Sequence, residues 1–289
     1  MRAVVFGASG VIGRALLPAL TQRAEVVAIS RREQAAVAGV VWASADATDA
    51  AAVDDVLREG DVVVYLVHSL GADDFEETDR LAADTVAAAA ARAGARQIVY
   101  LGGLGGTTDD GSPHLRSRAE TAERLAAGPV PVTTLRAGMV VGPGSAAFET
   151  IRALVDRLPA MICPRWVSTP TQPIALGDVV AYLAAVCGLE RAYGESFDVG
   201  GPEVMTYRQM IERIARIRGK RMPIVEVPVL TPRLSSWWLH LVTPVNASVA
   251  RPLVEGLRTP TVAHDDRIRE LVPLEPMPFD EAVRVALAG

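Results

Sequence analysis

Cysteine is scarce in this chain of 289 residues: Cys163 and Cys187 stand alone, no Cys-x-x-Cys pair occurs, and His68, His114, His240 and His264 are scattered. That spacing argues against a disulfide scaffold and against a structural metal site. Aromatic residues make up 5% of the chain, no long basic block is present, and the formal charge is a mild −5. Nucleic-acid surfaces need clustered positive charge, so direct binding to nucleic acid is not expected. No uninterrupted apolar run reaches the roughly eighteen residues that cross a bilayer. Met1 runs almost directly into a first β-like run, which leaves no room for the charged and apolar regions of a secretory leader. The expectation is a soluble, cytoplasmic protein. What the chain does have is apolar residues, half of the total, enough for a substantial core. No internal repeat, low-complexity tract or linker interrupts it.

The stretch around which the rest is organised is Phe6-Gly7-Ala8-Ser9-Gly10-Val11-Ile12-Gly13-Arg14. It follows a β-like run over residues 2–5 and leads into a helical run over 15–22, so its glycines fall at a strand-to-helix turn. In that position Gly7 allows the turn, Gly10 lets backbone N–H groups approach a diphosphate, and Gly13 lets helix and strand pack closely. The helix N-terminus then faces the anion. The spacing Gly-x-x-Gly-x-x-Gly resembles the extended and atypical short-chain dehydrogenase/reductase proteins. The resemblance implies a doubly wound parallel α/β Rossmann sheet binding a nicotinamide dinucleotide, with Ser9, Val11 and Ile12 among the cofactor contacts.

Taken in order, residues 25–30 read as a second strand, and Ser30-Arg31-Arg32 stands at its C-terminal end. A carboxylate usually marks an NAD site here; two arginines suit a 2′-phosphate instead. Arg31 and Arg32 therefore favour NADP(H) over NAD(H), against the plainer reading of a solvated surface pair. Residues 39–43 read as a third strand. Asp46 and Ala47 follow it where the family places adenine, and Asp49 suits the N-cap of a helix over 50–58. The β-branched run 61–67 reads as a buried strand ending at His68-Ser69. The resemblance puts both residues beside the cofactor, although a histidine there also serves as a simple turn residue. A long Ala-rich helix over 73–92 comes next.

Residues 96–101 read as a fifth strand, followed by Gly102-Gly103-Leu104-Gly105-Gly106. Active family members have a serine there that bonds the substrate oxygen; this chain has none, though Thr107 and Thr108 lie further along. Gly102 suits close backbone approach to the cofactor. In Ser112-Pro113-His114-Leu115-Arg116-Ser117-Arg118, opening a helix that runs to 127, His114 and Arg118 occupy the family's Tyr-x-x-x-Lys positions. Arginine keeps a cation for the ribose, and an imidazole can exchange a proton near neutral pH. The guanidinium would also disfavour the imidazolium. The alternative is that His114 is only a helix-start residue.

Residues 130–135 read as a sixth strand, 136–145 as a loop, 148–158 as a helix and 159–173 as an irregular wall. Asp178 reads as the cap of a helix returning to the core, 197–202 as a late strand and turn, and 206–218 as an amphipathic helix stopped by Gly219. Together with residues 100–105 and 112–118, the tail 229–245 resembles an atypical NAD(P)H-binding subgroup. It contains the NmrA-like redox sensors and an accessory NADPH-binding subunit of respiratory complex I. Trp237 and Trp238 in that tail form an apolar surface that should be covered by the lobe itself, by a protein or by a membrane surface.

The expected organisation is one Rossmann unit over 1–289, with its core at about 1–142 and a small, mostly helical lobe from 143–173 and 201–289. The function the resemblance implies is that of a weak or specialised NADP(H)-dependent oxidoreductase acting on a small apolar substrate. A non-catalytic redox sensor or assembly protein is the rival. A nucleotide-sugar epimerase fits less well without the tyrosine and lysine.

Overall fold

The computed structural model describes residues 1–69, 74–105, 112–227 and 256–289. The expected Trp237/Trp238 surface and the candidates Thr107 and Thr108 therefore lie outside the described residues. The first half alternates strand and helix: β1 (Arg2–Phe6), α1 (Val11–Thr21), β2 (Glu25–Ser30), β3 (Val40–Ser44), α2 (Ala50–Val56), β4 (Val62–Tyr65), α3 (Phe75–Ala93), β5 (Gln97–Gly103), α4 (Pro113–Ala126) and β6 (Val132–Ala137). Short elements follow: β7 (Val140–Val141), α5 (Ala146–Arg157), β8 (Met161–Pro164), β9 (Pro170–Thr171), β10 (Ile174–Ala175), α6 (Leu176–Val186), β11 (Ser196–Val199), β12 (Met205–Thr206), α7 (Tyr207–Ile217), β13 (Ile224–Val227), α8 (Ile268–Leu271) and α9 (Phe279–Ala288).

Seven parallel strands form the central sheet in the order β11-β6-β5-β4-β1-β2-β3. This is the doubly wound Rossmann arrangement, whose order reverses beside β1 and opens a crevice at the strand C-termini. The apolar residues divide by strand alternation. Ala3, Val5, Val62 and Val64 pack on the face covered by α1 and α6, whereas Val4, Phe6, Val63 and Tyr65 pack on the face covered by α2, α3 and α4. Another apolar cluster joins α5, α7 and α9 through Phe148, Ile214 and Val283.

Several boundaries differ from the sequence reading for local reasons. α1 begins at Val11, because Gly10 already accepts from the Arg14 amide. β5 runs on through Gly102 and Gly103, which pair with Arg136 and Ala137 of β6. Part of the expected irregular wall is ordered: β8 pairs with β13, and a 3-10 turn covers Arg165–Ser168. Asp178 does not cap α6, whose N-cap is Ala175. It sits inside the first turn and accepts from the Met277 amide at 2.7 Å, fastening the C-terminal segment instead. Asp49 does cap α2, accepting from the amides of Ala51 and Ala52. Thr206 opens α7 with a capping box completed by Gln209.

Candidate functional site

The glycine turn has the close approaches that its spacing implies. Gly7 has φ +80°, and a side-chain carbon on it would stand 2.7 Å from the Leu66 carbonyl oxygen. One on Gly13 would stand 2.5 Å from the Gly7 oxygen and 2.6 Å from Ala8 Cα. Both positions thus exclude any larger residue unless the backbone moves. Gly10 is less confined, at 3.3 Å from the same oxygen. As N-cap of α1 it offers no side-chain bond, and no acidic residue occupies the first turn. The leading N–H groups of α1 are therefore left for another acceptor.

Two cavities meet at this turn. The first, of about 650 Å³, is lined by Gly7, Ser9, Gly10, Ser30, Arg31, Asp46, Ala47, Thr48, His68 and Ser69, among others. The second, of about 580 Å³, is lined by Val11, Ile12, His68, Gly102, His114, Leu115, Arg118, Met139, Tyr207 and Leu257, among others. His68 belongs to both, and the uncapped start of α1 stands where they join. The structure therefore gathers nearly every residue singled out from the sequence. Two do not line either cavity. Gly13 is packed behind the turn, and Arg32 is exposed, with its amide bonded to the Ser30 hydroxyl.

At the β2 end of the first cavity, the Arg31 guanidinium lies 3.9 Å from Asp46 across the mouth. The Asp46 carboxylate accepts from the Thr48 amide at 3.0 Å and from its hydroxyl at 2.8 Å. These bonds, the amide first, hold its pKa below the ordinary value against partial burial, with Arg31 adding to the effect. Arg14, given no role by sequence reasoning, is fixed close by: it donates to the Ser9 carbonyl and to Gln34.

The second cavity is lined by polar as well as apolar side chains, His68, His114 and Arg118 among them. Arg118 donates to the Leu101 carbonyl, and its guanidinium carbon lies 5.2 Å from the centre of the Tyr100 ring. The Tyr100 hydroxyl donates to the Arg118 carbonyl at 3.0 Å, which anchors this turn of α4 to β5. Ser112 N-caps α4 with Pro113 behind it, and this start places His114 and Ser117 one turn apart on the same face.

His114 does not stand alone. Its Nδ1 lies 3.0 Å from His68 Nε2, and His68 Nδ1 lies 2.7 Å from Asp79 Oδ2. The same Asp79 oxygen accepts from the Ser117 hydroxyl at 3.0 Å, while Oδ1 accepts from the Ser69 amide at 2.8 Å. Burial alone would raise the Asp79 pKa, but the bonds from His68, Ser69 and Ser117 outweigh it and keep the group below its usual value. It is a carboxylate, so His68 Nδ1 must carry the hydrogen. Burial, opposed by Asp79, lowers the pKa of His68. Burial also lowers that of His114, to about 3, with His68 and Arg118 adding to the shift.

Sequence reasoning missed Asp79 and Ser117. A signal was there. The buried stripe of α3 consists of Asp79, Ala82, Ala83, Val86, Ala87, Ala89 and Ala90, a helical period in which one member is a carboxylate. A carboxylate in such a stripe needs a buried partner. Among the described residues no group of three or more His, Cys, Asp or Glu side chains suits a metal ion, and no helix is long and apolar enough to cross a membrane.

Comparison with known proteins agrees with this geometry. Residues 7–139 match a family described as NAD(P)H-binding. A (4-alkanoyl-5-oxo-2,5-dihydrofuran-3-yl)methyl phosphate reductase of Streptomyces griseus subsp. griseus is 27% identical over 237 residues, covering 78% of this chain and 77% of the relative. A nucleoside-diphosphate-sugar epimerase of Staphylococcus aureus superposes with a TM-score of 0.79 at 13% identity, covering 98% of this chain and 100% of the other. An NADPH-dependent quinone oxidoreductase of Escherichia coli, complexed with NADPH, superposes at 0.76 and 20% identity, covering 98% and 99%. Residues 7–139 are thus similar to NAD(P)H-binding domains, and the chain shares the fold of these solved structures.

Proposed function

We propose that this protein is an NADP(H)-dependent reductase of a small, largely apolar, conjugated carbonyl substrate. The observation that carries the proposal is the junction of the two cavities at His68, with the uncapped start of α1 between them. In this reading the turn from Gly7 to Gly13, with Ser9 and Gly10, holds the diphosphate. Asp46 and Ala47 flank the adenine, and Arg31, assisted by Arg32, meets the 2′-phosphate. Val11, Ile12, His68, Ser69, Gly102 and Arg118 surround the nicotinamide and its ribose, and NADPH bound there supplies the hydride.

The second cavity then receives the substrate. Leu115, Met139 and Leu257 present an apolar wall, and His114 stands among them as the group able to hold a proton. The reductase from Streptomyces supports the conjugated carbonyl: its name describes an oxo-dihydrofuran with an alkanoyl chain and a methyl phosphate, and the unsaturated ring and chain are of the kind such a wall would take. The NADPH complex of the quinone oxidoreductase supports the cofactor. The NmrA-like grouping suggested by residues 100–105 and 112–118, and a cytoplasmic setting, belong to the same reading.

A second reading rests on a specific feature. Gly102 and Gly103 stand where active relatives have a serine, His114 and Arg118 stand in place of the tyrosine and lysine, and His114 is held neutral, as suits a protein that binds NADP(H) to sense redox state without turnover. Epimerisation is less well supported, because it needs the same missing pair. NADPH oxidation followed at the nicotinamide absorbance, with unsaturated lactones, enones, quinones and aldehydes, separates these readings. Turnover with at least one of them supports the reductase; tight NADPH binding without any turnover supports the sensor.

A further inference from the structure

We propose that Asp79, His68 and His114 form a proton-sharing array that delivers a single proton into the second cavity from His114 Nε2. This rests on the reductase reading for its use, but the array itself is a property of the chain. Three elements supply it: Asp79 from α3, His68 from the segment after β4, and His114 from the first turn of α4. Among the described residues, the charged and titratable groups facing it are Arg118 from α4 and the phenols Tyr65 and Tyr100 from β4 and β5.

The hydrogen positions follow from the carboxylate. Asp79 accepts from His68 Nδ1, so in the neutral array His68 Nε2 is an acceptor and His114 Nδ1 must donate to it. His114 Nε2 is then a bare acceptor. One added proton changes the arrangement at both rings. His68 becomes an imidazolium paired with Asp79, its Nε2–H donates to His114 Nδ1, and His114 stays neutral in the tautomer that carries hydrogen on Nε2. The cation rests on the ring beside the carboxylate, while the donor group faces the cavity. This relieves the obvious objection to His114 as an acid, because that ring never needs to be charged.

Reduction balances through this array. Hydride from the cofactor forms a bond to the electrophilic carbon of the substrate, and the electron pair of the conjugated π bond moves onto the carbonyl oxygen. His114 Nε2–H gives its proton to the resulting enolate, and His114 Nδ1 takes the proton from His68 Nε2. His68 is left neutral, still bonded to Asp79, and the array regains one proton from solvent. Ser117 and the Ser69 amide fix the carboxylate throughout. Asp79 and His68 are positioning residues; His114 alone touches substrate.

The test is ¹⁵N NMR of the histidine rings in the full chain with NADP⁺ bound, across pH 5 to 8, with signals assigned by His68→Asn and His114→Asn. The expected result is one shared midpoint below about 6.5 for both rings. Above it both carry hydrogen on Nδ1; below it His68 is doubly protonated and His114 carries hydrogen on Nε2. Asp79→Asn should abolish the shared step. Separate midpoints, or a step unchanged by Asp79→Asn, overturn the array even where the enzyme is active. Where a substrate turns over, kcat should fall tenfold per pH unit above the midpoint, and Asp79→Asn should lower it about 10²-fold or more and remove that pH dependence. A flat pH profile overturns the delivery role. Absence of turnover with the shared step intact overturns the reductase reading and not the array.

Discussion

His68 Nε2 lies 3.0 Å from His114 Nδ1, two residues 46 positions apart in the chain that meet where the first cavity adjoins the second. The family's proton relay is a tyrosine and a lysine one helical turn apart. Here the helix keeps that spacing with His114 and Arg118, and the second imidazole comes from the end of β4. Arg118 is engaged elsewhere, bonded to the Leu101 carbonyl and stacked on Tyr100. A guanidinium in that place ties α4 to β5.

The arginines after β2 should set cofactor choice. Arg31→Ala combined with Arg32→Ala should weaken NADPH by about 1 to 3 kcal/mol, as expected for lost charge-assisted bonds, and leave NADH nearly unchanged. Arg31 should account for most of it, since it lines the cavity and Arg32 does not. Fluorescence titration with both cofactors checks this; an unchanged NADPH-to-NADH ratio contradicts it.

Gly13→Ala should damage both fold and binding. The new carbon would stand 2.5 Å from the Gly7 oxygen, so α1 must move away from the turn. The expected loss is about 1 to 3 kcal/mol of stability, typical of an overpacked site, together with at least tenfold weaker NADPH binding. Gly10→Ala meets only one contact, at 3.3 Å, and should fold nearly normally. Equal melting temperatures for Gly13→Ala and the parent chain would contradict the packing role.

Acid should destabilise the protein through the buried histidines. His114 is held at about 3 in the folded chain, against 6.5 when free, so the unfolded chain binds more protons between these values. Its contribution is fully present above about pH 6.5 and is lost as pH falls, by about 2 kcal/mol between pH 6.5 and pH 5 at 1.36 kcal/mol per unit. The lowered pKa of His68 acts in the same direction. His114→Gln should therefore show a smaller drop in melting temperature than the parent chain from pH 7.5 to pH 5.5. Identical drops would contradict the neutral, buried state of His114.

The legible part of this protein was the part written in local sequence. Gly7, Gly10 and Gly13 between an apolar run and a helix announced the turn, because close backbone approach at Gly7 and Gly13 admits no larger residue. Asp49 announced its helix, because a cap needs only a nearby oxygen. Asp178 misled: an acid at a helix start resembles a cap, but its oxygen turns to the Met277 amide, 99 residues away. The Asp79–His68–His114 contact was equally hidden, since three elements brought together by the sheet carry no common spacing in the chain.

The proposed reaction is hydride transfer from bound NADPH to a small conjugated carbonyl compound in the second cavity. Incubation with NADPH deuterated at nicotinamide C4, in the presence of unsaturated lactones, enones, quinones and aldehydes, followed by mass spectrometry of the products, tests it most directly. The account predicts one deuterium transferred to carbon of at least one product, slowly, and at a rate reduced about 10²-fold or more by His114→Ala with NADPH affinity unchanged. Tight binding of NADPH with no deuterium in any product would contradict it.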